Sequence, residues 1–411
     1  MKRAVLLALL LVPACGRHAD NRSILGVAGR TNANATLASE GMRVAVVWAA
    51  SGSTGADIEL ALSADGGKTF APPVRVNDVS GEATVSGEQP PRVVLHGAAV
   101  DVVWVAKQDR VPAIRAATSK DGGLTFSPAR TITPAGISGA RGWESAAVAD
   151  DGSLHVAWLD GRAANAPTPS AGFVPTSAMP PGHHHHMAAP RQDIFHAMWT
   201  GADQPSETRV AANVCFCCKT ALVTQGADVY VAWRHLFDGG VRDVAVAHSP
   251  DEGRTFGDPV RASADNWKID ACPDDGPAMA VDRSGALHIV WPTLLHEEGR
   301  DRMAVFHAVS TDRGRTFTPR ERVDEMSGVG ASHPRIAAGP DGSVAVVWDE
   351  MVKGGRRIAA RVFGARAAGV EVLSGSEASS YPSVAATPSG YVVTWTQQDP
   401  SGSRVVVRSR S

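Results

Sequence analysis

One pattern of apolar and polar positions recurs seven times along the chain: a turn glycine, a short run of small and β-branched residues, and a tryptophan. The glycines are Gly41, Gly97, Gly152, Gly226, Gly285, Gly342 and Gly390, and the tryptophans that follow them are Trp48, Trp104, Trp158, Trp233, Trp291, Trp348 and Trp395. Successive tryptophans lie 56, 54, 75, 58, 57 and 47 residues apart, the length of a β-propeller blade with its loops. Segments such as Val44-Ala-Val-Val-Trp48 and Val344-Ala-Val-Val-Trp348 read as buried strands. No segment shows a helical period of any length. The pattern predicts an all-β chain of seven blades, or six if the last repeat packs elsewhere.

A second signal falls in register with the first. The octapeptide Ser-x-Asp-x-Gly-x-Thr-Phe occurs as Ser63-Ala-Asp65-Gly-Gly67-Lys-Thr69-Phe70, Ser119-Lys-Asp121-Gly-Gly123-Leu-Thr125-Phe126, Ser249-Pro-Asp251-Glu-Gly253-Arg-Thr255-Phe256 and Ser310-Thr-Asp312-Arg-Gly314-Arg-Thr316-Phe317. Asp, Ser and Thr side chains can bond the backbone of a tight turn, Gly supplies positive φ, and Phe can anchor the turn in the blade. The aspartate trails its tryptophan by 17, 17, 18 and 21 residues, which places the turn between the third and fourth strands of a blade. These octapeptides resemble the Asp-box of sialidase-like β-propellers, and with the repeats they make residues 31–411 look like that superfamily. The resemblance implies a propeller whose Asp-boxes share one rim. The sialidase fold proper has six blades, whereas seven repeats are counted here.

The N-terminus reads differently. Met1-Lys-Arg3, the apolar run Ala4 to Leu11, and Val12-Pro-Ala14-Cys15 describe a secretory signal whose hydrophobic stretch is too short to span a bilayer. Cysteine directly after Ala14 resembles the bacterial lipobox. That implies cleavage before Cys15, lipidation of its thiol, and a cell-envelope protein held to the membrane through the lipid alone. Residues 16–30 are polar and read as a tether. The last repeat offers strands at Tyr391–Gln397 and Arg404–Arg408, so its outer strand is expected from Ile24–Ala28, closing the ring and removing its open edge. The formal net charge of −2 argues against nucleic acid and against an acidic lipid surface as partners.

Propeller connectivity sorts the loops. Those leading into first strands, and those between second and third strands, share the face opposite the octapeptides. The first set carries Arg92, Arg141-Gly-Trp143-Glu144, Cys215-Phe-Cys217-Cys218-Lys219, Asp270-Ala-Cys272-Pro-Asp274-Asp275, His333-Pro-Arg335 and Tyr381-Pro. The second carries Asp160, Arg162, Arg234, His235, His296, Glu297, Glu298 and Glu350, and in repeat three it lengthens into an Ala- and Pro-rich loop holding His183-His-His-His186. Outside the cytoplasm, Cys215, Cys217, Cys218 and Cys272 fit two disulfides, one of them from Cys272 to the cluster. They also fit a thiolate or mixed site for zinc or copper, completed by His235 or Asp270, and a redox pair at the Cys215–Cys218 spacing. The histidine run reads as a solvated loop or a weak surface metal site.

The sialidase resemblance implies arginines holding a sugar carboxylate and a tyrosine nucleophile assisted by a glutamate. A neutral tyrosine suits an anionic substrate, and guanidinium forks match carboxylates. Arg92 and Arg335 stand where such arginines belong, with Arg141 or Arg162 as a third. Tyr381 is the tyrosine at a matching position, with Glu144 or Glu350 to assist it, because Tyr230 and Tyr391 are expected to point into blades. The Phe-Arg-Ile-Pro signature of the first sialidase arginine is absent. Three readings follow: a propeller that binds a glycan or protein ligand on this face, a sialidase-like glycoside hydrolase, and a metal- or redox-linked protein using the Cys/His cluster.

Overall fold

Seven four-stranded antiparallel sheets follow one another around a ring, each a meander whose first strand is innermost. The computed structural model describes residues 22–108, 111–133, 137–165, 192–201, 204–214, 219–268, 275–297, 299–325, 330–400 and 402–410. The first strands are Thr31–Glu40, Arg92–His96, Arg141–Val148, Ala221–Gln225, Ala278–Val281, Ala331–Ala338 and Ser379–Thr387. Each packs on the next around the ring, and the last packs on the first. Helix among the described residues is confined to three short 3-10 turns, at Gly161–Asn165, Asp238–Gly240 and Gly364–Arg366. None of them is long or apolar enough to cross a membrane.

The ring closes as expected, with a small shift. Strand Arg22–Leu25 pairs with Gly402–Arg410, Ile24 opposite Val406, so the closing strand starts two residues earlier than Ile24. The seventh blade is thus built from both ends of the described chain.

Each tryptophan lies between its own blade and the one before, and all seven are fully buried. Trp48 packs with Val392 of blade seven, Trp158 with Val103 and Ile114 of blade two, and Trp348 with Val290 and Val305 of blade five. The second strands are buried on both sides, which is why their sequences read as continuous apolar runs. The indole N–H groups need acceptors there, and five are visible. Trp158 donates to Asp160, Trp233 to His235 and Trp348 to Glu350, each two residues ahead, while Trp48 uses Asn32 and Trp291 uses Asp265.

This corrects one expectation. Asp160, Arg234, His296, Glu297 and Glu350 are not loop residues but lie within the second strands Leu154–Asp160, Asp228–Arg234, Leu287–Glu297 and Val344–Val352. Asp160, His235 and Glu350 serve the tryptophans, because a buried N–H without an acceptor is costly.

All four octapeptides form the same hairpin between third and fourth strands. In each, the aspartate Oδ1 accepts the serine hydroxyl and the threonine backbone N–H, and Oδ2 accepts the threonine hydroxyl. The fourth and fifth positions both take positive φ, yet only the fifth is always glycine; the fourth also holds Glu252 and Arg313. In three of the four copies the preceding blade adds a clash at the fifth position, while at Gly314 nothing lies closer than 3.7 Å; at the fourth position Gly66 is also tight, 2.7 Å from Met42. A Cβ on Gly67 would stand 2.9 Å from Val392, on Gly123 2.4 Å from Leu62, and on Gly253 2.1 Å from the His196 ring, whereas one on Gly122 would meet nothing. Gly253→Ala is therefore expected to destabilise the protein by roughly 1–3 kcal/mol, and Gly122→Ala by clearly less, since only the first adds a clash to the backbone strain. Denaturant midpoints of the two variants check this; equal shifts would discount the blade contact.

Candidate functional site at the axial mouth

Four first strands carry the same irregularity at their axial start. Asn34, Trp143, His333 and Tyr381 have φ of 60°, 53°, 56° and 54°, and at each the register of the strand slips. Positive φ is strained for residues with side chains, and bulges re-aim them. By register, the equivalent positions in the other blades are Pro90, Lys219 and Gly276, so one ring of seven residues lines the mouth. Two residues further in, the next ring holds Arg92 and Arg335.

Charged groups interlock across this mouth. Glu88 lies in the connection between blades one and two, yet its carboxylate accepts from Lys219 of blade four at 3.0 Å and pairs with His333 Nε2 of blade six at 2.7 Å. Lys219, fully buried, also pairs with Asp275 at 2.7 Å. His333 Nδ1 meets Asp349 at 2.8 Å, and its backbone N–H donates to Asp275 at 2.6 Å. Asp349 additionally accepts the Tyr381 backbone N–H and Arg356 Nε. Burial pulls the His333 pKa down, but Asp275, Asp349 and Glu88 outweigh it and raise it to about 9. Burial would raise Glu88; Lys219 and His333 hold it at about 2 instead. His333 is therefore a cation at neutral pH and no general base. The Tyr381 ring rests on the imidazole at 4.3 Å, and burial, then Glu88 and Asp349, push its phenol up to about 12. Tyr381 is a hydrogen-bond donor at neutral pH.

The arginines of the inner ring are sparsely held. Arg92 Nε donates to the Glu144 carbonyl at 3.0 Å, and Arg335 donates to the Pro334 carbonyl at 3.1 Å. Both are half-buried, and among the described residues neither has a carboxylate within ion-pair distance. Burial and the nearby Arg335 charge lower the Arg92 pKa to about 10, and burial lowers that of Arg335. The Glu144 carboxyl is fully buried, with neither oxygen bonded among the described residues. Burial lifts it to about 7 against the pull of Arg92.

The sequence candidates divide accordingly. Arg92, Arg335 and Tyr381 lie at the mouth, whereas Glu144, next along the strand from Trp143, is fully buried, and no hydrogen bond joins it to Tyr381. Arg162 turns outward, pairing with Asp160 and, through two bonds, with Glu207 on the outermost strand of its blade. Arg141 is buried against Asp160. Glu350 is tied to Arg357 and Trp348, and His235 sits edge-on between Trp233 and Phe237. Tyr230 and Tyr391 are buried in their blades as expected. Cys15, Cys215, Cys217, Cys218, Cys272, Asp270, Asp274, Glu298 and the His183–His186 run lie outside the described residues. Among the described residues no three His, Cys, Asp or Glu side chains are grouped to hold a metal ion.

Sequence reading missed Glu88, Asp349 and Arg356 and passed over Lys219 and Asp275. Aligning the chain on its tryptophans would have found Lys219, which stands at the register position of His333.

No protein-family model and no curated protein matches the chain. Its fold is similar to those of solved structures. These include the PL25 ulvan lyase, a polysaccharide lyase (10% identity, 91% of this chain and 93% of that one, TM-score 0.55), and the polysaccharide lyase Uly1 (9% identity, 91% and 89%, TM-score 0.51). A protein of unknown function from Dyadobacter fermentans is also similar (13% identity, 95% and 98%, TM-score 0.50). At these identities the likeness is one of fold.

Proposed function

We propose that this protein is a lipid-anchored propeller of the cell envelope that binds an acidic glycan at its axial mouth, taking a sugar carboxylate on Arg92 and Arg335. The observation that carries the reading is the pair of half-buried guanidinium groups with no carboxylate partner among the described residues. Guanidinium forks hold carboxylates through short, charge-assisted bonds, and cations gathered without partners are costly unless an anion joins them. The imidazolium of His333 and the phenol of Tyr381 add donors on the same rim. Support of a weaker kind comes from the ulvan lyase, which has been solved bound to a GlcA(1-4)Rha3S saccharide, a uronate-containing ligand. Calorimetric titration with oligogalacturonate and with a neutral oligosaccharide of equal length tests the reading. Binding of the acidic chain alone is expected, and equal or absent binding of both would reject it.

A sialidase-like hydrolase is the second reading. It is favoured by Glu144, whose buried carboxyl near neutral pKa suits an acid–base catalyst. Reducing sugar released from acidic oligosaccharides, with a pH dependence centred near 7 that Glu144→Gln abolishes, would establish it.

Anchoring rests on Cys15. Cys15→Ser is expected to move the protein from the membrane to the soluble fraction, since buried lipid contributes about 0.8 kcal/mol per CH₂. Unchanged fractionation would remove the lipoprotein reading.

A further inference from the structure

The connection from blade one to blade two leaves the rim and crosses the axis. It spans residues 76–91 and narrows to a tight turn, with Ser86 N–H donating to the Gln89 carbonyl at 3.1 Å and Gln89 N–H to that of Ser86 at 3.2 Å. Three consecutive residues of the turn then touch four blades. A Cβ on Gly87 would stand 2.2 Å from the Tyr381 ring of blade seven, so only glycine allows that approach. Glu88 bridges Lys219 and His333, of blades four and six. Gln89 Oε1 accepts the Trp143 backbone N–H of blade three at 2.9 Å. Contacts that spread this widely place the turn over the axis.

Beside the turn, Asn34, Gly87, His333, Arg335 and Tyr381 line a remaining cavity of about 10 Å³. That is room for about one water, whereas ligand sites commonly measure about 300–1,000 Å³. A saccharide therefore reaches Arg335 only if the turn withdraws. The turn is suited to that. Its residues are Ser86, Gly87, Glu88 and Gln89, none with an apolar side chain to bury, and its hold on the far blades is chiefly ionic.

We propose that the Lys219–His333 pair is a carboxylate-binding subsite that the protein fills with its own Glu88, and that an acidic ligand opens the mouth by exchanging its carboxylate for that of Glu88. Lys219 keeps Asp275 and His333 keeps Asp349 when Glu88 leaves, and the exchange restores to each the second carboxylate that simple withdrawal would remove. For the class of ligand the proposal rests on the acidic-glycan reading.

Two variants of the full-length protein test it. In Glu88→Ala the vacated subsite is open to a small carboxylate. Sodium acetate is expected to raise the melting temperature of this variant saturably, beyond sodium chloride at equal ionic strength, and to leave the wild type unmoved. Glu88→Gln keeps the shape of the turn and removes its charge, and is expected to bind oligogalacturonate about 10-fold more tightly than the wild type, because less of the protein is held closed. Acetate acting no differently from chloride on Glu88→Ala would overturn the subsite. Unchanged or weaker oligogalacturonate binding by Glu88→Gln would overturn the plug. Acetate rescue in a protein of which no form binds oligogalacturonate would uphold the subsite and reject the acidic-glycan reading, so the two fail separately.

Discussion

Alanine at both Arg92 and Arg335 is expected to weaken binding of an acidic oligosaccharide by at least about 100-fold, since truncating one side of a buried charged hydrogen-bonded pair costs roughly 2–5 kcal/mol. Stability is expected to move the other way. Burial and the neighbouring charge of Arg335 hold the Arg92 pKa at about 10, so the folded state disfavours its charged form and the substitution relieves that penalty. Lost affinity with an equal or higher melting temperature marks arginines kept for a ligand at some expense of stability. Arg92→Lys should fall between, because an ammonium keeps the charge and loses the fork. If the double variant binds as tightly as the wild type, the carboxylate is not held there. If it melts much lower, the arginines serve the fold.

Acid is expected to unfold the protein in a window set by histidines that lie away from the mouth. In blade three, His155 Nδ1 meets His196 Nε2 at 2.9 Å, with Ser153 and Asp151 behind and Gly253 of the next blade against the His196 ring. In blade five, His288 Nδ1 meets His307 Nε2 at 3.0 Å, with Asp282 behind His288 and Phe363 beside His307. Each pair shares a single proton, so at least one ring must stay neutral. Burial lowers His155 to about 4 despite Asp151 and Glu252. Burial, then His155, lowers His196 to about 3, and burial, then His288 and Arg361, lowers His307 to about 4.

Because these values lie below the unfolded value of about 6.5, the unfolded chain takes up protons first as pH falls. Stability is untouched above about 6.5 and declines until the folded values near 4 are passed, by on the order of 3 kcal/mol for each imidazole that must charge. His333 acts oppositely. Its folded value of about 9 gives stability that is complete below the unfolded value of about 6.5 and lost as pH rises through 9. Urea midpoints between pH 4.5 and 9.5 should therefore peak near pH 6.5. His155→Gln and His307→Gln should flatten the acid limb, and a profile level from pH 7 to 4.5 would contradict the argument. Glu144, lifted to about 7, opposes this limb, since its folded form takes up a proton before the unfolded chain does, but one carboxyl does not offset three imidazoles. The octapeptide aspartates, stabilised as carboxylates by their Ser and Thr partners, titrate lower.

Much of the architecture was legible in the chain because it is written in short range. An aspartate folding its own hairpin involves residues four positions apart, and the tryptophan buried between blades and the positive-φ glycine recur as one repeated pattern. The placement of Arg92, Arg335, Glu144 and Tyr381 at the axial ends of first strands is legible because propeller connectivity assigns the ends of strands to faces. The same logic placed Asp160, His235 and Glu350 on the face as free groups. It could not show that tryptophan N–H groups would claim them, since the direction of a side chain is set by its neighbours.

The sequence by itself determined seven blades, the seam closed by an N-terminal strand, and the four hairpins, because strand periodicity and turn chemistry are local and repeated. Only the tertiary structure decided which charges meet at the axis. Glu88 and Lys219 are 131 residues apart and belong to different blades, and nothing near either announces the other. Their pairing follows from ring closure, which brings seven strand starts together and, among the described residues, carries the polar turn of Glu88 across them.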